Sequence, residues 1–346
     1  MRIFITGGAG FVGCNLAAHH LRLGNHVTIF DNLARPRTAH NLAWLKKLKL
    51  DNTVAQSLQT YIGDIRHEDE LREAMILAQP DLVVHLAAQV AVTTSVTNPR
   101  EDFEINALGT FNVLEVARNL PKPPAVFFAS TNKVYGGMEE VAVVEDATRY
   151  HFRDFPNGID EHQPLDFHSP YGCSKGTGDQ YVRDYARIFG LKTVIFRQST
   201  IYGPRQFGVE DQGWLAHFII ATVTGRPFKI YGNGKQVRDM LHVRDLIAAY
   251  DAAWHNIDRV SGEIFNVGGG KDNTISIWAE CGPMLEELAG REIPVAYSET
   301  RPGDQPIFVS NNAKANKMLA WQPQVKLWDG IQELWHWVSE NRHLFV

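Results

Sequence analysis

The pattern of apolar and polar positions alternates early between short β-type runs and helical stripes. Arg2–Thr6 is a brief apolar run. It is followed by glycines, a helical pattern over Asn15–Leu23, Gly24, and a second run, His26–Phe30, closed by Asp31. Further strands are predicted at Gln59–Ile65, Asp81–Ala88, Ala125–Ala129 and Lys192–Arg197. Helices are predicted around Leu42–Leu50, Glu68–Ala78 and Asn106–Arg118, and again from Tyr171 onward. Strands separated by helical stretches point to parallel βαβ units. Beyond Arg197 the alternation loosens. Phe228–Asp239 reads as strand, turn, strand; Leu246–His255, Trp278–Ala289 and Leu327–Asn341 read as helices. The segment Gly137–His168 is too long for a βα loop, and reads either as a flap over a site or as a surface decoration.

The first glycine turn changes the picture from fold to chemistry. Gly7, Gly10 and Gly13 lie between a strand and a helix, and an acid, Asp31, ends the next strand. Glycines there permit a tight turn and let backbone N–H groups approach a pyrophosphate at a helix N-terminus. The spacing is G-x-x-G-x-x-G, and its context is that of a dinucleotide fingerprint. A carboxylate at Asp31 accepts hydrogen bonds from a ribose and repels a 2′-phosphate, so NAD is expected over NADP. Asp64 either contacts adenine or caps the following helix. His85 reads as a core histidine.

Tyr171 and Lys175 add a second chemistry. Residues four apart share a helix face, so phenol and ammonium point at one volume. A free tyrosine has a pKa of about 10; a nearby cation favours the phenolate and draws it toward neutrality. Such a pair takes a proton from an alcohol and returns it. Ser130 and Thr131 end the Ala125–Ala129 strand, at the usual ligand crevice of a parallel sheet.

Composition bounds these readings. The chain has 346 residues, 44% hydrophobic, and a net charge of −5. That length fits two domains or one large α/β unit. Without a basic run, nucleic acid is not an expected partner. Cys14, Cys173 and Cys281 form no paired spacing, so neither a disulfide framework nor a zinc site is expected, and a reducing cytoplasm fits. No apolar stretch approaches ~20 residues, so no membrane span is expected. The 14 histidines lack H-x-x-x-H and H-E-x-x-H pairings, and no metal is expected.

Together these motifs resemble the extended short-chain dehydrogenase/reductase superfamily, in its nucleotide-sugar epimerase and dehydratase branch. The resemblance rests on Gly7/Gly10/Gly13, Asp31, Asp64, Leu86–Gln89, Ser130–Thr131, Tyr171/Lys175, Tyr202–Arg205, Arg238-Asp239 and Arg301–Asp304. It implies a doubly wound parallel sheet (a Rossmann fold) with a smaller C-terminal α/β substrate domain. The NAD-binding part is expected over 1–197 plus about 237–257, and the nucleotide-sugar part over about 198–236 plus 258–346. It implies that Tyr171, Lys175 and Thr131 are catalytic. NAD contacts are implied at Gly7, Gly10, Phe11, Val12, Gly13, Asp31, Asn32, Arg35, Asp64, Ile65, Leu86, Ala87, Ala88, Gln89, Ser130, Tyr171 and Lys175. Substrate contacts are implied at Thr93, Asn132, Thr200, Arg205, Gln206, Arg238 and Arg301. The arginines suit phosphate because a planar guanidinium binds its oxygens in pairs.

Finer matches around Gln89–Ser95, Ser130–Gly136, Asp166–Gly176 and Gly232–Asp239 are similar to the CDP-sugar 2-epimerases of that branch. They imply a nucleotide-sugar substrate, a CDP-hexose favoured, and inversion at C2, with C4 as the alternative. Dehydratases of the branch carry an Asp-Glu pair where this chain has Asn132-Lys133, which argues against water loss. Thr200 replaces an asparagine common in 4-epimerases. A homodimer or homotetramer is also implied.

Overall fold

The computed structural model describes residues 1–48, 57–300 and 304–345. They divide into two compact units: Met1–Val134, Ser169–Arg197 and Tyr250–Phe265 form one; Tyr135–His168, Gln198–Ala249 and Asn266–Val346 form the other. These bounds differ from the expected NAD-binding range: Tyr135–His168 and residues 237–249 group with the second unit. For the first of these the reason is visible in its bonds. Ile159 N–H donates to Val309 O, and the Glu161 carboxylate accepts from Asn266 N–H at 2.6 Å. The long segment is therefore built into the second unit's packing. It carries a hairpin of its own, Val143–Glu145 against Tyr150–Phe152.

The first unit is organised on a seven-stranded sheet. In chain order its elements begin β1 (Arg2–Thr6), α1 (Phe11–Arg22), β2 (His26–Asp31), α2 (Thr38–Lys46), β3 (Leu58–Ile62), α3 (Glu68–Ala78) and β4 (Leu82–His85). Then come α4 (Val92–Thr97), α5 (Pro99–Phe103), a π turn at Glu104–Leu108, α6 (Gly109–Arg118), β5 (Ala125–Thr131) and α7 (Ser169–Phe189). The strands Thr193–Gln198 and Glu263–Val267 complete the sheet. The strand order is 263–267, 193–198, β5, β4, β1, β2, β3. β1 pairs in parallel with both β2 and β4, so the order reverses direction at the β1/β4 boundary. That boundary is where doubly wound sheets bind ligands. The apolar runs read from sequence are buried on both faces, as parallel strands require: Ile3–Ile5, Val83–Val84 and Val126–Phe128 are each 2% exposed or less.

Two boundaries differ from the periodicity. The stripe at Asn106–Arg118 begins inside the π turn and becomes α-helical at Gly109. The helix expected around Leu42–Leu50 spans Thr38–Lys46; Lys49 and Leu50 lie outside the described residues.

The second unit has a four-stranded mixed sheet: Val237–His242 pairs with Thr200–Tyr202 and Ile307–Phe308 in parallel and Thr274–Ser276 antiparallel. Lys229–Tyr231 and Val237–His242 are both strands, as read, but belong to different sheets; the former pairs with Ala296–Ser298. Helices Trp214–Thr224, Cys281–Ala289 and Leu327–Glu340 enclose a core rich in Phe218, Phe228, Trp278 and Trp337. Among the described residues no helix is long and apolar enough to cross a membrane.

Candidate active site

The glycine turn sits at the C-terminal edge of β1. Gly7 adopts φ +68, and a Cβ there would lie 2.7 Å from Ala87 N, the backbone just past β4. A Cβ on Gly13 would lie 2.4 Å from Gly7 O and 2.6 Å from Gly8 Cα. Only hydrogen fits at either position, so the turn closes tightly and α1 starts against it with Gly10 as its N-cap. Asp31 closes the cradle: its carboxylate accepts from Ala9 N–H at 2.9 Å and from Leu33 N–H at 2.8 Å. Burial nevertheless pushes its carboxyl above the ordinary value. These bonds leave lone pairs for further donors. A dinucleotide fits this cradle: backbone at a helix N-terminus, no side chains in the way, and an acid at the next strand end.

Around the turn, Phe11 and Val12 occupy the first turn of α1, while Asn32 and Arg35 stand in the exposed loop after β2. Asp64 neither stands free nor caps α3, whose N-cap is His67. It accepts from Arg66 Nε and an Arg66 terminal nitrogen and from Asn32 Nδ2, and these bonds hold its pKa down to about 2. Ile65, next to it, is buried. Leu86, Ala87 and Ala88 follow β4, and Ala87 N–H donates to Thr6 Oγ1. His85 is the satisfied core histidine expected from sequence. It bonds Thr6 Oγ1 at 2.7 Å and Thr110 Oγ1 at 3.0 Å, and burial lowers its pKa to about 3.

The helix α7 carries the reactive pair. It begins at Ser169, whose Oγ accepts from Gly172 N–H at 3.2 Å, with Pro170 next, both suited to a first turn. Its buried stripe is Tyr171, Ser174, Lys175, Gly178, Asp179, Val182 and Tyr185. That spacing is ordinary for a packed helix, yet the stripe contains an ammonium and a carboxylate. Gly178 lets it press against β5: a Cβ there would meet Phe128 Cζ at 3.0 Å.

Thr131 stands close enough to the Tyr171 phenol to draw its pKa down. Lys175 is 3% exposed, and its Nζ lies 4.2 Å from the Phe128 ring centroid. Among the described residues no carboxylate reaches salt-bridge distance of it. Burial lowers its pKa to about 7, against the pull of Asp179 and Asp102. The phenol does not behave as the sequence suggested. Burial pushes Tyr171 up to about 12, a shift that Thr131 opposes and Asp102 reinforces. Desolvation is the largest influence on the phenol.

Three supporting groups escaped the sequence reading. Asp102 is fully buried and accepts from Gln89 Nε2 at 2.8 Å, from Asn106 Nδ2 at 3.0 Å and from Ser174 Oγ. Ser95 Oγ accepts from Tyr171 N–H at 3.1 Å. Asp179 accepts from Nε and one terminal nitrogen of the buried Arg197, at 3.0 and 2.9 Å, and from the Ser130 hydroxyl at 2.7 Å. Gln89 and Ser130 thus spend side-chain bonds on holding the site. The one available signal was the i, i+4 placement of Asp179 after Lys175. Asp102 joins the site only through the fold.

The expected substrate residues divide between the units. Thr93 is in α4 of the first unit, and its buried Oγ1 has no partner among the described residues. Asn132, one residue past β5, also belongs to that unit. In the second unit, Thr200 pairs with Met240 in the sheet. Arg205, at φ +71, lies with its guanidinium 5.5 Å from the Trp337 ring. Gln206 is buried with Oε1 lacking a partner among the described residues. Arg238 donates to Asp304 at 2.6 Å and to the Gln305 and Val237 carbonyls. Arg301 lies outside the described residues.

Comparison with known proteins places this geometry. The family model described as GDP-mannose 4,6 dehydratase matches residues 4–334. The chain is 44% identical over 344 residues to CDP-paratose 2-epimerase of Salmonella typhi, covering 98% of this chain and 99% of that one. A solved UDP-glucuronic acid 4-epimerase from Bacillus cereus, in complex with UDP-glucuronic acid and NAD, superposes with a TM-score of 0.80. It has 27% identity, over 99% of this chain and 100% of that one. A dTDP-glucose 4,6-dehydratase from Streptomyces venezuelae with NAD bound gives a TM-score of 0.83 and 27% identity, over 99% and 98%.

Proposed function

Because the chain belongs to the family of the GDP-mannose 4,6 dehydratase model, an NAD-dependent family of nucleotide-sugar enzymes, we propose that it is an epimerase inverting C2 of CDP-paratose to give CDP-tyvelose. The observation that carries the reaction class is the buried group Thr131, Tyr171 and Lys175 beside the glycine turn. The choice of C2 and of a CDP-sugar rests on the 44% identity to a 2-epimerase. Against the family's dehydratase members stands Asn132-Lys133. An amide and an amine do not perform the acid and base steps of water loss.

The residues divide the work. Gly7, Gly10 and Gly13 would seat the pyrophosphate of NAD, and Asp31 would hold its adenosine ribose. NAD, when bound, would supply a hydride acceptor and donor and a positive charge. Tyr171 takes the hydroxyl proton and later gives it back. Thr131, beside Tyr171, holds the sugar oxygen next to it. With Tyr171 at about 12, the site without ligands keeps its phenol protonated. Added positive charge, including a fully protonated Lys175, is what turns it into a base. Thr93 and Gln206, with orphaned oxygens, suit sugar and nucleotide contacts. Arg205, Arg238 and Arg301 suit the diphosphate. We assign NAD to the first unit and the nucleotide to the second. The assembly we expect is a dimer or tetramer through α6 and α7, whose Phe111, Tyr181, Ile188 and Phe189 are at least 36% exposed.

The test is NMR of products from CDP-paratose, CDP-glucose and UDP-glucose in deuterated water. Inversion at C2 of a CDP-sugar without deuterium supports the reading. Deuterium at C2 would point to proton abstraction and sink the mechanism. Inversion at C4 of UDP-glucose alone would replace it with the 4-epimerase reading.

A further inference from the structure

Away from the glycine turn, the last turn of α1 places His19 and His20 side by side, and the fold brings Asp251 to them from 232 residues away. His19 Nε2 lies 2.8 Å from one carboxylate oxygen of Asp251, and His20 Nε2 lies 3.5 Å from the other. The three ligand atoms all fall within 4.8 Å of one another. We propose that His19, His20 and Asp251 form a binding site for a divalent transition-metal ion of the zinc class, separate from the residues assigned to epimerisation.

The donor set selects the class. Two imidazoles and one carboxylate suit zinc, cobalt or nickel, whereas magnesium and calcium want oxygen donors. Three protein ligands leave a fourth position for water. Exposure supplies an entry path. His20 is a floor, with its side chain 3% exposed; His19 and Asp251 form a rim at 38% and 26%. The Asn25 amide nitrogen Nδ2 lies 3.2 Å from His20 Nδ1. Metal binding through Nε2 would require this amide to turn over, so that its oxygen accepts from Nδ1–H and fixes the tautomer that frees Nε2. The surrounding field favours a cation. The last-turn carbonyls of α1 present the negative end of that helix. Sequence spacing hid the site, because adjacent histidines follow no metal motif and the carboxylate is remote.

The experiment uses the full chain, free of any affinity tag and stripped with a chelator. Cobalt(II) chloride is titrated in, and visible d–d absorption is followed; zinc chloride then competes. One saturable equivalent per chain, bleached by zinc, and a melting temperature raised by zinc are expected. Asp251→Asn and His19→Ala should each weaken cobalt binding at least tenfold. Circular dichroism checks their folding, and His19→Gln, at the most exposed of the three positions, serves if either fails. No saturable band in the wild type, or undiminished binding in His19→Gln, would overturn the proposal.

Discussion

Buried charge is handled differently around α7 and around the strand Val237–His242. In the second unit nearly every buried charge among the described residues is spoken for. Asp239 is fully buried and accepts from Gly270 N–H and Ser310 N–H, both at 3.1 Å, and from Ser199 Oγ. Arg238 is held by Asp304 and Gln305. The half-buried Arg149 forks onto Glu280 at 2.6 and 2.7 Å. These groups knit loops together. On α7, Asp179 and Arg197 pair in the same way, but Lys175, one helical turn before Asp179, is buried without a salt bridge among the described residues. An isolated buried charge costs several kcal/mol or gives up its proton. A fold keeps one where a ligand or a reaction uses it. The contrast separates residues that hold the molecule from residues that wait for a partner.

The largest effect expected is on the waiting group. Tyr171→Phe removes only the hydroxyl that moves the proton. The rate should fall by 10² to 10⁴, on the order of 4 kcal/mol of barrier. Turnover of CDP-paratose followed by NMR measures it, with a circular dichroism spectrum unchanged. A variant retaining more than about a tenth of the wild-type rate would mean that another group carries the proton. The contrast would then lose its functional side.

Next comes the holding pair. Asp179→Ala removes both carboxylate bonds of Arg197, 3% exposed, and the acceptor of the Ser130 hydroxyl. Removing one partner of a buried pair costs about 3 kcal/mol or somewhat more. Urea unfolding should show that loss. A variant as stable as the wild type would mean that Arg197 reaches solvent or finds another acceptor.

How much of this could be read beforehand follows the same division. The strands and the glycine turn were legible because they are local: apolar runs of strand length, a tight turn, an acid at the next strand end. Tyr171 and Lys175 were legible because a helix converts spacing into a shared face. Asp102 was not, since its bonds to Ser174 and Gln89 exist only after α5 docks on α7. The burial of the pair was not legible for a related reason. Charge proximity can be guessed from spacing, but desolvation depends on what covers the helix, and here it dominates. His19, His20 and Asp251 were missed because one of three ligands is remote. Residues 135–168 were read as either flap or decoration, since nothing in their sequence announces the bonds of Ile159 and Glu161.

Lys175 gives a smaller, pH-dependent effect. Burial depresses its pKa from 10.5 to about 7. A depressed folded pKa contributes stability that is full above the unfolded value and is lost as pH falls through the folded one. Between pH 7 and 10.5 the unfolded chain holds a proton on Lys175 that the folded chain lacks. Stability from this group should therefore rise with pH by up to ~1.4 kcal/mol per pH unit. Lys175→Met should flatten that slope in urea unfolding across the window. An identical slope in the variant would show that the ammonium stays protonated, and so is better solvated than its 3% exposure implies.

The smallest effect tests whether the second unit's arginines only hold. Arg238 uses three of a guanidinium's five N–H donors, on Asp304, Gln305 O and Val237 O, so two remain. The two that remain, on Nε and Nη1, do not lie side by side, so each can give a phosphate oxygen one single bond rather than a paired contact. Arg238→Lys keeps the charge and loses the fork. If the free donors meet the substrate diphosphate, KM should rise about fivefold with kcat unchanged, ~1 kcal/mol of binding lost equally from ground and transition states. The unfolding midpoint should barely move, because Asp304 is partly exposed and a lysine can still reach it. A lowered midpoint with KM unchanged would put Arg238 wholly among the residues that hold the fold. The contrast between the two units would then sharpen: every buried charge described in the second is structural, and the diphosphate must be met by Arg205 and Arg301.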